Sequence, residues 1–380
     1  MESIYIHGGI ALQGQVGIQG SKNAVLPVLA ATILTEGTNR INNCPVLSDV
    51  YHMQTLLKSL GCGIVKDQKT LKINTDNVDI VHALGGLPKD ATQGMRSSII
   101  LLGALLGRTG EVKIEYPGGC VIGARPIDMH IQALQRLNVQ FEETPYGLHA
   151  YTKQLRGARI HLPVPSVGAT QNSILTAVKA EGDTVIYGAA REPEVETLCA
   201  FLNACGADIT GGGNSEIFIR GVEKLHATEF TIPGDRIVAG TYLCACMAAT
   251  GEVMLKQAPC EQLKAVVEQA RAMGAVCQVT EEGLYVQVHN RIKAVEKLTT
   301  MPYPGFPTDM QSQFLSVLAL AEGSCEIEET IFENRFHTLP YLRAMGAKVM
   351  QTDARHVRVY GVEELHGYTV SAEELRAHLL

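Results

Sequence analysis

A cysteine at position 120 stands among three glycines and five residues before an arginine, in PGGCVIGARPIDMH (Pro117–His130). Glycines on both sides can leave a thiol exposed on a loop, and the nearby Arg125 would favour its thiolate. Such a thiol can add to an electrophile or donate a proton. The same residues also fit a glycine-rich turn with an incidental thiol. Three further segments interrupt otherwise apolar stretches. In GSKNAVLP (Gly20–Pro27), a lysine and an asparagine open an apolar helix. Backbone N–H groups and Lys22 at a helix N-terminus can hold an anion. An ordinary N-cap by Ser21 with Lys22 on the surface fits equally. In PGFPTDMQSQF (Pro304–Phe314), Asp309 falls in the first turn of a helix that Thr308 can cap. It is either a helix-start aspartate or a carboxylate placed to take a proton from a hydroxyl. In IFENRFHTLP (Ile331–Pro340), Arg335 follows a strand beside Glu333 and Asn334. It suits a carboxylate or phosphate, or a surface ion pair.

Composition limits what these residues can serve. The chain has 380 residues, enough for two domains, and its 46% hydrophobic content with 19% charged residues excludes disorder. A formal net charge of −7 argues against a nucleic-acid partner. Ten cysteines occur without a CxxC pair, so neither a zinc site nor a disulfide framework is expected. The longest apolar runs, near 24–34 and 237–250, fall short of the roughly 20 residues that span a membrane. No signal peptide precedes the first strand-like run, and free thiols suit the cytoplasm.

The elements that must position these residues recur along the chain. A helical segment rich in alanine and leucine ends at a glycine, and a β-rich segment follows. The glycines are Gly37, Gly110, Gly182, Gly251 and Gly323, each roughly 70 residues after the last. Between them lies a second helix, stopped at LLKSLGCGI, ALQRLNVQF, FLNACGADI, ARAMGAVCQ and YLRAMGAKV, with Asn138 once in place of glycine. Each unit reads helix, strand, helix, strand, strand, with two amphipathic helices covering a sheet. No Rossmann or Walker pattern occurs in context, and GGGNS (Gly211–Ser215) reads as a turn between strands. Five units are complete, and a sixth begins at Ser371–Leu380. Hinges are expected near Gly20–Ser21 and Phe230–Pro233.

With GSKNAVLP, GGCVIGARPIDMHI, PSVGAT, GAAREPEV, FPTDMQSQF and IFENRF in this order, the chain resembles the UDP-N-acetylglucosamine 1-carboxyvinyltransferase family over essentially its whole length. The resemblance implies an α/β fold of two domains, an inside-out α/β barrel of repeated βαβαββ units, here with the last unit incomplete. It implies transfer of enolpyruvate from phosphoenolpyruvate to the 3′-hydroxyl of UDP-N-acetylglucosamine with release of phosphate, the first committed step of peptidoglycan synthesis. Substrates are expected in a cleft between the domains, with no metal or organic cofactor, no nucleic acid and no membrane. Lys22, Arg125 and Arg376 match the cationic positions, with Asn23 beside Lys22. Asp309 matches the base at the sugar hydroxyl, Cys120 the loop acid or nucleophile, and Arg335 a further catalytic arginine. Arg96, Arg125, Pro126, Ile127, Asp128, Met129, Ser166, Val167, Gly168 and Ile331 match the lining of the UDP-sugar site. Three features depart from the family. Val164 stands where a lysine is usual, Glu374 precedes Leu375 and Arg376 where an aspartate is usual, and the remainder of the sixth unit is not present. These motivate an alternative, a catalytically impaired relative that binds UDP-sugar or phosphoenolpyruvate in a regulatory or assembly role. The related shikimate-pathway transferase lacks the loop cysteine, so GGCVIGARP argues against that acceptor.

Overall fold

The computed structural model describes residues 4–85, 87–88, 92, 95–116, 127–145 and 147–370. Among these, the chain divides into two compact units. One holds the residues between Gln19 and Pro233, the other those up to Ile18 and from Gly234 on. Each has its own hydrophobic core.

Among the described residues the repeat is built as a four-stranded sheet in four units and as a three-stranded one, Glu111–Glu115, Gln140–Thr144 and Gly147–Tyr151, in the unit around Gly110. In the unit around Gly182, strand Arg159–His161 runs parallel to Asp183–Tyr187, with helix Val167–Ala177 between them. Helix Pro193–Ala204 follows, and Asp208–Thr210 and Glu216–Arg220 complete the sheet as an antiparallel pair. GGGNS is indeed their connection. The unit around Gly323 repeats this order with Lys297–Thr299, Ser324–Glu328, Lys348–Gln351 and His356–Tyr360.

A leading parallel strand is the element that the expected helix-first unit lacked. It is only three residues long at Arg159–His161, Glu229–Thr231 and Lys297–Thr299, too short to show a two-residue alternation. Two of these strands come from distant sequence. Glu229–Thr231 pairs with Thr38–Asn42, closing the Gln19–Pro233 unit on its own beginning. Leu12–Gly17 pairs with Gly251–Lys256, so the N-terminal strand completes a sheet of the other unit.

The turns behave as the sequence requires. All five spaced glycines have positive φ, from +73° at Gly110 to +117° at Gly251. Asn138 takes the same left-handed conformation at φ +70°. Its side chain offsets the steric cost by donating to Gln154 O at 2.9 Å, while Thr152 Oγ1 donates to Asn138 O at 2.8 Å.

The two helices of a unit are not both amphipathic. The second kind, Asp128–Arg136 and Lys264–Ala272, buries one stripe only. Of the first kind, Arg236–Ala249 in the other unit leaves Tyr242 42% exposed. In the Gln19–Pro233 unit the first kind is buried all round, every residue from Ala24 to Ala31 and from Ala169 to Ala177 being buried. Small residues permit this. A Cβ at Gly103, in helix Ile100–Thr109, would lie 2.6 Å from Asn172 O. The first helices therefore form the interior and the sheets lie outside them. No helix among the described residues is long and apolar enough to cross a membrane.

Candidate active site residues

In the Gln19–Pro233 unit the first expected residues stand where a strand-to-helix bend is locked. Gly20 passes so close to Asn43 that a Cβ would lie 1.8 Å from Asn43 O. Ser21 caps helix Lys22–Ala31, its Oγ accepting the Ala24 N–H at 3.3 Å. Lys22 Nζ then pairs with Asp49 Oδ2 at 2.6 Å, the two side chains 23% and 16% exposed. A lysine in a helix's first turn opposes the macrodipole, and Asp49 offsets this. Asn23 follows Lys22 on that turn.

A second group gathers around helix Val167–Ala177. Ser166 caps it, its Oγ accepting the Ala169 N–H at 3.4 Å. Val167 and Gly168 form the first turn, and a Cβ at Gly168 would fall 2.9 Å from His130 Cε1. His130 lies on helix Asp128–Arg136, whose start carries Ile127, Asp128 and Met129. Beside Met129 a groove of about 340 Å³ is lined by Gln132, Arg136, His161 and Pro163. Arg96 opens the short turn Arg96–Ile99, and its burial lowers its pKa. Val164 is 55% exposed.

One buried asparagine ties this group together. Asn172 Oδ1 accepts the Gly103 N–H at 2.8 Å, and Nδ2 donates to Ile99 O at 3.0 Å. These are the two backbone groups that bond each other in a regular helical turn, so the amide adds a second partner to both at the start of Ile100–Thr109. Nδ2 also donates to His130 Nδ1 at 2.7 Å. Because the Gly103 bond fixes the amide's orientation, Nδ1 is the acceptor and the imidazole carries its proton on Nε2. Burial, with Arg96 adding repulsion, pushes the His130 pKa from 6.5 down to about 4.

That depression makes stability depend on pH. The unfolded imidazole takes up a proton as pH falls through about 6.5, whereas the folded one resists until about 4. Protonation thus favours the unfolded chain. This contribution is complete above pH 6.5 and falls by about 3 kcal/mol on acidification to pH 4. Urea unfolding of the protein and of His130→Gln at pH 7 and pH 4.5 checks it. The variant should lose less stability between the two.

In the other unit the expected carboxylate and arginine meet directly. Arg335 Nη2 donates to Asp309 Oδ1 at 2.9 Å and to Thr308 O at 3.1 Å. Arg335 is 4% exposed, so this is a buried pair and not the surface pair that the sequence also allowed. Its guanidinium lies 5.5 Å from the Phe332 ring centroid. Asp309 sits in the turn Thr308–Met310, ahead of helix Gln311–Leu318. Thr308 does not cap that helix. Its hydroxyl donates instead to Glu329 Oε2 at 2.9 Å, because a buried carboxylate is the stronger acceptor. Ile331 follows two residues after Glu329 and donates its N–H to Oε1 at 2.9 Å.

Sequence reasoning missed His130, Asn172 and Glu329. The available signal was a polar side chain inside a run that otherwise reads as buried. Cys120, Arg125, Pro126 and Arg376 lie outside the described residues, as does Glu374. Among the described residues all nine cysteines are free and eight are buried. Burial pushes the thiols of Cys44, Cys62, Cys199 and Cys205 up to about 12. Among the described residues no cluster of His, Cys, Asp or Glu could hold a metal ion.

Residues 6–378 match the EPSP synthase (3-phosphoshikimate 1-carboxyvinyltransferase) family. The chain belongs to this family of enolpyruvyl transferases. It is 43% identical over 376 residues to the UDP-N-acetylglucosamine 1-carboxyvinyltransferase 2 of Caldanaerobacter subterraneus subsp. tengcongensis, covering 99% of this chain and 89% of that one. It is 44% identical over 381 residues to UDP-N-acetylglucosamine 1-carboxyvinyltransferase 1 of Symbiobacterium thermophilum, covering 99% and 85%. The fold is similar to that of the enolpyruvyl transferase NikO from Streptomyces tendae, with a TM-score of 0.84, 23% identity, and 98% and 88% of the two chains covered. EPSP synthase from Acinetobacter baumannii is more distant, with a TM-score of 0.69 at 18% identity and coverage of 94% and 84%.

Proposed function

We propose that the protein transfers the enolpyruvyl group of phosphoenolpyruvate to the 3′-hydroxyl of UDP-N-acetylglucosamine, releasing phosphate. Identity of 40–44% over 99% of the chain to relatives carrying that name is the observation behind this reading. The family description names a shikimate acceptor, but the relatives above 40% identity carry the UDP-sugar name, and the EPSP synthase structure stands at 18%. UDP-N-acetylglucosamine is therefore the acceptor. The reaction is the first committed step of peptidoglycan synthesis and takes place in the cytoplasm, which ties the protein to cell shape and division.

The chemistry assigns a task to each residue. Phosphoenolpyruvate carries a phosphate and a carboxylate, and Lys22, Arg125 and Arg376 supply the cations that hold them, with Asn23 beside Lys22. The Ser166–Gly168 turn, Arg96, the 125–129 segment and Ile331 hold the UDP-sugar. Cys120 delivers a proton to the methylene carbon, which makes the adjacent carbon electrophilic. Asp309 takes the proton of the 3′-hydroxyl as its oxygen bonds to that carbon, forming a tetrahedral ketal. Loss of a proton from the new methyl group then restores the double bond as the carbon–oxygen bond to phosphate breaks. The Arg335 pair fixes the orientation of the Asp309 carboxylate. The continuous domain over 22–230 contributes Lys22, Arg125 and the thiol, and the second domain, 1–21 plus 231–380, contributes Asp309, Arg335 and Arg376. Val164, in place of a cation, weakens the hold on the diphosphate by about 1–3 kcal/mol.

Mass spectrometry of the acceptor after incubation with phosphoenolpyruvate should show an enolpyruvyl ether on UDP-N-acetylglucosamine and none on shikimate 3-phosphate. The reverse pattern would overturn the assignment. An epoxide phosphonate resembling phosphoenolpyruvate should alkylate Cys120 alone. The buried thiols with raised pKa are poor nucleophiles near neutral pH. Peptide mapping that finds the adduct elsewhere, or no adduct, contradicts the role given to Cys120.

A further inference from the structure

We propose that Glu329 is a positioning residue for the transfer reaction, holding Asp309 and Arg335 in their working arrangement. The inference rests on the enolpyruvyl transfer reading above. Glu329 is fully buried, and its carboxylate accepts three hydrogen bonds. Oε1 takes the N–H groups of Ile331 and Phe332 at 2.9 and 3.1 Å, and Oε2 takes the Thr308 hydroxyl at 2.9 Å. The carboxylate thus joins the loop that leads to Arg335 to the turn that carries Asp309. Arg335 closes the circuit from the other side through Thr308 O and Asp309 Oδ1. The backbone of Glu329 is anchored as well, its N–H donating to Arg355 O at 2.8 Å and its carbonyl accepting from Arg355 Nη1 at 3.1 Å.

Two arguments separate this from ordinary packing. A fully buried carboxyl group must be matched by hydrogen bonds, here three, a demand on the fold that an apolar residue at this place would avoid. The repeat supplies the second. In three of the other four units the residue directly after the second strand has left-handed backbone: Asn43 at φ +56°, Gly188 at +71° and Gln257 at +60°. Tyr116 after Glu111–Glu115 and Glu329 after Ser324–Glu328 hold the same place and are not left-handed. The chain leaves Ser324–Glu328 by a different path from those three, and the Glu329 carboxylate is what fastens that path to the Asp309 turn.

The test compares Glu329→Ala and Glu329→Gln with the unaltered protein. Glutamine can still accept both backbone N–H groups, while its amide donates to Thr308 Oγ1. Glu329→Ala should lower kcat about 100-fold, the usual consequence of a misplacement near 1 Å, with a smaller change in KM for phosphoenolpyruvate. It should also shift the pH profile of kcat. Glu329→Gln should recover most of the rate. Thr308→Val, which removes one bond of the three, gives a milder loss in the same direction and serves if the alanine variant does not fold. A folded alanine variant with unchanged kcat and pH profile overturns the proposal. So does equal impairment of both Glu329 variants with an unshifted profile. Amide exchange at Ile331 and Phe332, read by mass spectrometry, is independent of turnover. It should quicken in Glu329→Ala and not in Glu329→Gln, and unchanged exchange overturns the proposal. Absence of turnover in the unaltered protein would count against the functional reading alone.

Discussion

Asp309→Asn should lower kcat by about 10²–10⁴. The substitution keeps the shape of the side chain and an oxygen that can accept from Arg335 Nη2, now 2.9 Å away. What it removes is the capacity to take a proton from the sugar hydroxyl. Binding of phosphoenolpyruvate should survive, because the proposed roles give its anionic groups to Lys22, Arg125 and Arg376. A second cost arises at Arg335, whose side chain is 3% exposed and loses the charge of the Asp309 carboxylate. Weakening that pair around a buried cation lowers stability, so the variant should melt earlier as well. Steady-state rates well below the melting temperature separate the two effects. A rate close to that of the unaltered protein would remove Asp309 from the mechanism.

Asn172→Ala should be the most destabilising single change in the Gln19–Pro233 unit among those considered, by about 3–5 kcal/mol. The size follows from its three buried bonds. Without the amide, the Gly103 N–H and Ile99 O each lose a side-chain partner worth about 0.5–1.5 kcal/mol, and the cavity left behind adds to the loss. His130 Nδ1 loses its donor too, so the ring that packs on Gly168 is no longer held. Urea midpoints at neutral pH measure the loss. The Ser166–Gly168 turn should loosen with it, raising KM for UDP-N-acetylglucosamine more than KM for phosphoenolpyruvate. A loss under about 1 kcal/mol would show that the backbone satisfies Gly103 and Ile99 without help from the amide.

Much of this architecture was legible because glycine and asparagine mark left-handed turns so sharply. The Gly37, Gly110, Gly182, Gly251 and Gly323 series set the repeat, and even the exchange of glycine for Asn138 kept the conformation. The cap at Ser21 and the turn at Gly211–Ser215 were equally local in origin. What escaped was non-local. Strand Glu229–Thr231 has three residues, and its partner Thr38–Asn42 lies in the first repeat, so no window of sequence contains the pair. The interior helices also defeated the amphipathic reading, since a helix surrounded by others has no polar face to display.

The site was legible as motifs and less so as contacts. Asp309 and Arg335 were each singled out, but not their mutual ion pair, nor the turning of Thr308 from its expected cap toward Glu329. Neither competition between acceptors nor burial can be read from spacing alone. Asn172 is the instructive case. In TQNSILTA it reads as one polar residue among several, yet the fold gives it two backbone groups on another helix to satisfy.

The account stands most directly on one assay, phosphate release measured with both substrates and with each withheld. Release from phosphoenolpyruvate should require UDP-N-acetylglucosamine and should vanish when either is omitted. Well-folded protein that liberates no phosphate with both present, or that does so equally well with shikimate 3-phosphate in place of the UDP-sugar, would contradict it.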